Sequence, residues 1–217
     1  MARIPALVRK HGLDALTILA LVLSGYPMSA PLRERLARNR ADHAAVAAVK
    51  RSWDGLRSEA SPLGGDGTSV QVVEIADYEC PFCRHSAAAV DSAVASGLRV
   101  GYLNYPLAIH AHAVGAAIAS LCAESAGRFR EMHARLMGST DWQRDSNWMR
   151  EAGLAGVPDL RAFERCIRGN SVKARLAREH ALADSLGMTG TPTFVSKEAF
   201  HRGSATRAEL VALGRKE

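Results

Sequence analysis

Residues 74–83 read Glu74-Ile-Ala-Asp-Tyr-Glu-Cys80-Pro-Phe-Cys83, and the fold is decided by how this stretch is placed. It closes a run rich in β-branched residues, Val70 to Ile75, which reads as a buried strand. Beyond Cys83, Arg84 to Ala95 can continue as a helix. A Cys-x-x-Cys at such a strand-to-helix junction has a defined chemistry. The first sulfur lies at the helix N-terminus, where unpaired backbone N–H groups and the helix dipole favour an anion. Cys80 is therefore expected to ionise near neutral pH and act as a nucleophile. Cys83, one turn on, can attack a mixed disulfide at Cys80 and release a bound partner. Pro81 suits the first helical position, where no N–H is needed.

Zinc is the rival chemistry for a Cys-x-x-Cys. A closed tetrahedral site needs four ligands, commonly from a second close pair. No such pair exists: His85 stands alone, and His110 and His112 are two apart, a spacing that does not share a helical face. No metal and no cofactor are expected, and the two histidines read as a polar helix start.

Outward from the cysteines, Leu98 to Leu103 reads as the next strand, stopped by Pro106. From about His112 to Met137, apolar residues at Val114, Ile118, Leu121, Cys122, Phe129, Met132 and Leu136 mark one face of a single long helix. Leu160 to Ile167 and Val172 to Ala183 give two further helices. Thr193 to Val195 and Ala199 to Arg202 form a hairpin, and Thr206 to Leu213 a terminal helix. Strand, helix, strand, several helices, two strands and a helix make an α/β pattern with a helical insertion.

Toward the N-terminus, Ser61-Pro-Leu-Gly-Gly-Asp-Gly is a loop by composition. Residues 32–58 carry Leu32, Leu36, Val46, Val49, Trp53 and Leu56 at helical spacing, an amphipathic stalk that packs on its own domain or on a second copy. Before it, Arg3, Arg9 and Lys10 precede an apolar run from Ala15 to Gly25, followed by small residues. This describes an export signal, or an anchor over residues 13–31 if it is retained. Arg33, Arg35, Arg38 and Arg40 pull the other way, since a positive-inside bias would keep that side cytoplasmic. The net charge of +6 comes from scattered arginines without interleaved aromatics, so no nucleic-acid partner is expected. The organisation is thus 1–31 signal or anchor, 32–65 amphipathic helix and linker, and 66–217 a redox domain whose helical insertion runs over about 108–187.

The segment Asp77-Tyr-Glu-Cys-Pro-Phe-Cys83 resembles the active site of DsbA-like thiol–disulfide oxidoreductases. A second element, Thr189-Gly-Thr191-Pro192-Thr-Phe-Val195, resembles that family's loop in which a proline held in cis faces the redox pair. The resemblance covers roughly residues 66–215. It implies a thioredoxin fold with an inserted α-helical domain, here preceded by the signal or anchor helix and the stalk. Cys80 and Cys83 would be the catalytic pair, with Pro81, Phe82, Thr191 and Pro192 facing the substrate. Glu74 matches a family acid that lies buried under the second cysteine, where burial would raise its pKa and let it exchange a proton with Cys83. Strand alternation leaves a solvent-facing Glu74 open, because Val72, Val73 and Ile75 surround it.

The same resemblance implies partners: exported proteins with cysteines as substrates, and a membrane redox partner in the periplasm or cell envelope. Some relatives bridge the helices that would carry Cys122 and Cys166. A bridge here would close a loop of about 45 residues, worth roughly 3–4 kcal/mol; two buried free thiols are the alternative. Phe82 departs from the family's strongest oxidant, which has histidine there. Phe82 carries no charge and donates no hydrogen bond, so a weaker oxidant is expected. Disulfide formation is the leading reading. A reductase or isomerase, the latter favoured by dimerisation through residues 32–58, is the second, and a non-catalytic assembly module the third.

Overall fold

A computed structural model describes residues 30–64 and 69–215. The signal or anchor segment therefore lies outside the described residues but for Ala30 and Pro31. Among the described residues no helix is long and apolar enough to cross a membrane. Contacts divide the chain between His43 and Ala44. The first unit is described only over Ala30–His43, the beginning of helix α1 (Ala30–Glu59), where Arg33, Glu34, Arg35 and Leu36 are exposed.

The second unit, Ala44–Glu217, holds the sheet and the cysteines. After α1 come β1 (Ser61–Pro62), β2 (Val72–Ala76), α2 (Pro81–Ala95) and β3 (Val100–Asn104). The insertion follows as α3 (Ala113–Ser125), α4 (Phe129–Gly138), a 3-10 turn (Asp141–Gln143), α5 (Trp148–Leu154), α6 (Leu160–Arg168) and α7 (Asn170–Ser185). The hairpin β4 (Thr193–Ser196) and β5 (Ala199–Arg202) and helix α8 (Arg207–Gly214) complete it. The sheet order is β1-β3-β2-β4-β5; β2 and β3 run parallel and the other pairs antiparallel.

β2 and β3 are buried along their whole length, which is why, Glu74 and Asn104 apart, their sequences are apolar with little alternation. One face of β2, with Val72 and Ala76, joins Val90 and Ala93 of α2, Leu210 and Leu213 of α8 and the insertion's Leu121, Met132 and Leu136 in one core. The other face, with Val73 and Ile75, packs with Leu103, Val195 and the α1 residues Val49, Trp53 and Leu56 in a second.

Three elements differ from the sequence expectation, which had no helix at α5 (Trp148–Leu154). The long helix over 112–137 is two helices, α3 and α4. Gly127 adopts φ +69°, its N–H bonds Glu124 O at 2.8 Å, and Arg128 N–H reaches back to Ala123 O at 2.7 Å. This double closure stops a helix through a left-handed residue. The apolar face resumes at once with Phe129, so periodicity runs straight across the break. Ser61–Pro62, read as loop, is an edge strand whose Ser61 opposes Tyr102; proline is tolerated there because an edge strand has one unpaired side.

Cys122 of α3 and Cys166 of α6 are joined by a disulfide, S–S 2.01 Å, 44 residues apart in sequence. Replacing both with serine is expected to lower stability by about 3–4 kcal/mol, read as a shifted urea midpoint. An unchanged midpoint would show that the bridge does not restrain the unfolded chain.

Candidate functional site

The topology brings two distant segments together. β2 ends at Ala76 and leads into the turn 77–80 and then α2. β4 runs antiparallel beside it with Thr193 opposite Ile75, so Thr191 and Pro192 lie just past the end of β2, beside that turn. The Thr191–Pro192 bond is cis. The Cys80 thiol donates to the Thr191 carbonyl oxygen at 3.4 Å. Pro81 opens α2, with Cys80 as its extended N-cap residue at φ −68°, ψ 122°.

The two thiols sit in opposite environments. Cys80 is 4% exposed and Cys83 fully buried. Both thiols are free, and the Cys83 S–H donates a hydrogen bond to Cys80 Sγ that lowers the Cys80 pKa to about 5, against the opposing effect of burial. The Thr191 hydroxyl and the backbone N–H groups of Cys83 and Phe82 add to the lowering. In the dithiol that hydroxyl is buried without a partner, and it stands ready to donate once Cys80 carries charge. Cys83 is pushed far up, first by burial, then by its bond to Cys80 and by the charge of Glu74. An N–H at Asp77 offers Cys83 a partial offset.

Glu74 lies in the middle of β2, opposite Tyr102 of β3 and Phe194 of β4. It is 1% exposed, and its Oε1 has no hydrogen-bond partner among the described residues. Burial, with a smaller push from Asp91, raises its pKa to about 8. An unpaired buried carboxyl is costly when charged, so Glu74 is predominantly neutral at pH 7. Around it, Tyr78 stacks on Tyr102 with ring centroids 4.9 Å apart, and the Tyr78 hydroxyl meets His133 Nδ1 at 3.2 Å. Burial pulls His133 down to about 3 and keeps it neutral.

Arg84 fixes the insertion to the redox helix. Its guanidinium donates to the carbonyls of Leu136 and Ser139, at 2.7 and 2.9 Å, at the end of α4. Phe82 is 64% exposed beside Cys80.

The sequence reading missed how the 77–80 turn is held. Asp77 is fully buried and takes the N–H of Glu79, the N–H of Leu107 and the His110 ring, at 2.8, 2.8 and 2.7 Å. The Glu79 carboxylate accepts the His112 N–H at 2.8 Å. These partners are some 30 positions apart in sequence; the only local signal was two histidines near a proline. Among the described residues no group of His, Cys, Asp and Glu side chains is arranged to hold a metal ion.

Comparison with known proteins places this geometry. The family described as Thioredoxin matches residues 59–213. A thioredoxin-like oxidoreductase from Silicibacter pomeroyi DSS-3 is 32% identical; the alignment covers 76% of this chain and 98% of that one, with TM-score 0.66. The thiol-disulfide exchange protein alpha-DsbA2 from Wolbachia pipientis shares the fold at TM-score 0.71 and 17% identity, over 80% of this chain and 96% of that one. A Na(+)/H(+) antiporter, NhaA 3 of Salinispora tropica, is 34% identical over 137 residues, which are 62% of this chain and 21% of the antiporter. The chain thus spans about a fifth of that relative's length.

Proposed function

Because this chain belongs to the thioredoxin family over residues 59–213, we propose that it is a thiol–disulfide oxidoreductase working through Cys80 and Cys83, and that it donates disulfides to exported proteins. The observation that carries the reading is the asymmetry of the pair. Cys80 is held near pKa 5 while Cys83 is buried and driven up.

In the oxidised pair a substrate thiolate attacks Cys80 Sγ, the less buried sulfur. The Cys80–Cys83 bond breaks and its electron pair leaves on Cys83. Glu74, neutral at pH 7, hands its proton to that buried thiolate, which could not persist as an anion. A second substrate thiolate then attacks the substrate's own sulfur in the mixed disulfide. Cys80 departs as a stabilised thiolate, and the substrate keeps the new disulfide. Two electrons have moved from substrate to the pair. A leaving group of low pKa favours this last step, and stabilising the reduced state makes the pair oxidising.

Pro81, Phe82, Thr191 and Pro192 border the attacked sulfur and take the substrate chain. Reoxidation falls to a membrane redox partner. Export to the periplasm or cell envelope is supported by the apolar segment near the N-terminus and by the Cys122–Cys166 disulfide, a bond that persists in oxidising compartments. Residues 13–31 serve as the signal or anchor, and the redox domain, expected from residue 66, takes in the edge strand β1 at Ser61–Pro62 as well.

The test is oxidative refolding of a reduced, cysteine-containing protein by the oxidised chain under anaerobic conditions. Stoichiometric disulfide transfer supports the reading. No transfer, with both thiols intact, contradicts it.

A further inference from the structure

We infer that Ser204 is a positioning residue for Cys80, acting from a strap, Gly203-Ser204-Ala205, that joins the loop of Thr191 and Pro192 to the first turns of α2. Its consequence for catalysis rests on the exchange activity proposed above, to which it adds a residue outside both sequence motifs.

The strap leaves the sheet where β5 ends, at Arg202 opposite Thr193 of β4. The chain turns at Gly203, whose φ of +85° is open to glycine and costly for a residue with a side chain. From there the Gly203 N–H donates to the Pro192 carbonyl oxygen at 2.9 Å. The next two residues reach the redox helix. Ser204 Oγ donates to the Phe82 carbonyl oxygen at 3.2 Å. The Ala205 N–H donates to Oγ of the buried Ser86, one turn further along α2, at 3.3 Å. The Ser204 carbonyl is held in turn by the His201 ring, with Nε2 at 3.0 Å. A carbonyl oxygen only accepts, so Nε2 carries the proton.

Both ends of the strap lie next to groups that meet the reactive sulfur. Pro192 follows Thr191, whose carbonyl oxygen takes the Cys80 thiol at 3.4 Å. Phe82 O is one end of the peptide group whose other end is the Cys83 N–H, a donor to Cys80. A hydrogen bond accepted by the carbonyl of a peptide group polarises that group and strengthens its N–H as a donor. Ser204 thus acts on the Cys80 thiolate through one peptide group, without touching the sulfur. The strap also ties the helix that carries Cys80 to the loop that faces it, so the approach of Thr191 to the sulfur is fixed from both sides.

The experiment titrates the reduced full chain by its ultraviolet thiolate absorbance. Cys80 alone responds in the acid range, because Cys83 is pushed far up and Cys122 and Cys166 are bonded to each other. Ser204→Ala is expected to raise the midpoint by roughly half a pH unit, the scale of one neutral hydrogen bond. Its equilibrium with glutathione should move toward the disulfide by the matching factor, roughly threefold. Ser204→Thr, which keeps the hydroxyl, should restore both. Ser96→Ala removes a bond of the same kind at the far end of α2, Ser96 Oγ to Ala93 O at 2.7 Å, and should change neither. A midpoint that stays in place in Ser204→Ala, that moves as far in Ser96→Ala, or that Ser204→Thr leaves displaced overturns the positioning role. A wild type that does not equilibrate with glutathione sinks the exchange reading instead, while the titration still decides whether Ser204 acts on Cys80.

Discussion

Changing Cys83 to serine is expected to turn the chain into a trap that stays covalently attached to its partners. Cys80 keeps its place at the start of α2, its contact with Thr191 O at 3.4 Å and the N–H groups of residues 82 and 83. It still forms mixed disulfides. What disappears is the only described thiol within reach of resolving them, since the other two cysteines are bonded to each other. Adducts that vanish on adding reductant should accumulate on non-reducing gels of an envelope extract. Cys80→Ser should form none and should lose disulfide transfer altogether, because the remaining Cys83 is fully buried and driven to a high pKa. Equal adduct formation by both variants would mean that the roles of the two sulfurs are misassigned.

The second large effect concerns Glu74. Its pKa is about 8 in the fold against an ordinary 4.5. The native state therefore holds this proton where the unfolded chain has lost it. The contribution of Glu74 to stability is highest at or below about pH 4.5, falls as pH rises between 4.5 and 8, and levels off above 8. By linkage the penalty above pH 8 is on the order of 5 kcal/mol. Glu74→Gln removes a group that must ionise in an unpaired, buried position. The oxidised variant is expected to be more stable than the oxidised wild type at pH 9 by an amount of that order, with little difference at pH 4. The same variant should slow release of Cys83 from the disulfide, because glutamine has no proton to give. A stability difference independent of pH would place Glu74 in contact with water or with a partner that the fold does not show.

How legible was this in the sequence? The cysteines, Pro81 and the flanking strand and helix are neighbours along the chain, so local rules reach them. Thr191 and Pro192 lie more than a hundred residues on. Only resemblance linked them to Cys80; the physical link is the antiparallel pairing of β2 and β4. The burial of Glu74 could not be read from alternation, because β2 is covered on both faces and shows no polar side. The break at Gly127 was hidden because the apolar stripe keeps its phase across it. The Asp77–His110 pair was hidden for a different reason. Its two members are separated by a helix and a strand, and the histidine beside a second histidine looked like a helix start. His112 is indeed the N-cap of α3, whereas the His110 ring bonds Asp77 of the redox turn.

A pair that gives its disulfide away is set apart from a reductase by its reduction potential. The most direct test is the reduction potential of Cys80–Cys83, by equilibration with glutathione buffers. A low-pKa Cys80 predicts a value of about −120 to −180 mV, the range of disulfide donors and isomerases. A value near about −270 mV would contradict it and make the site a reductase.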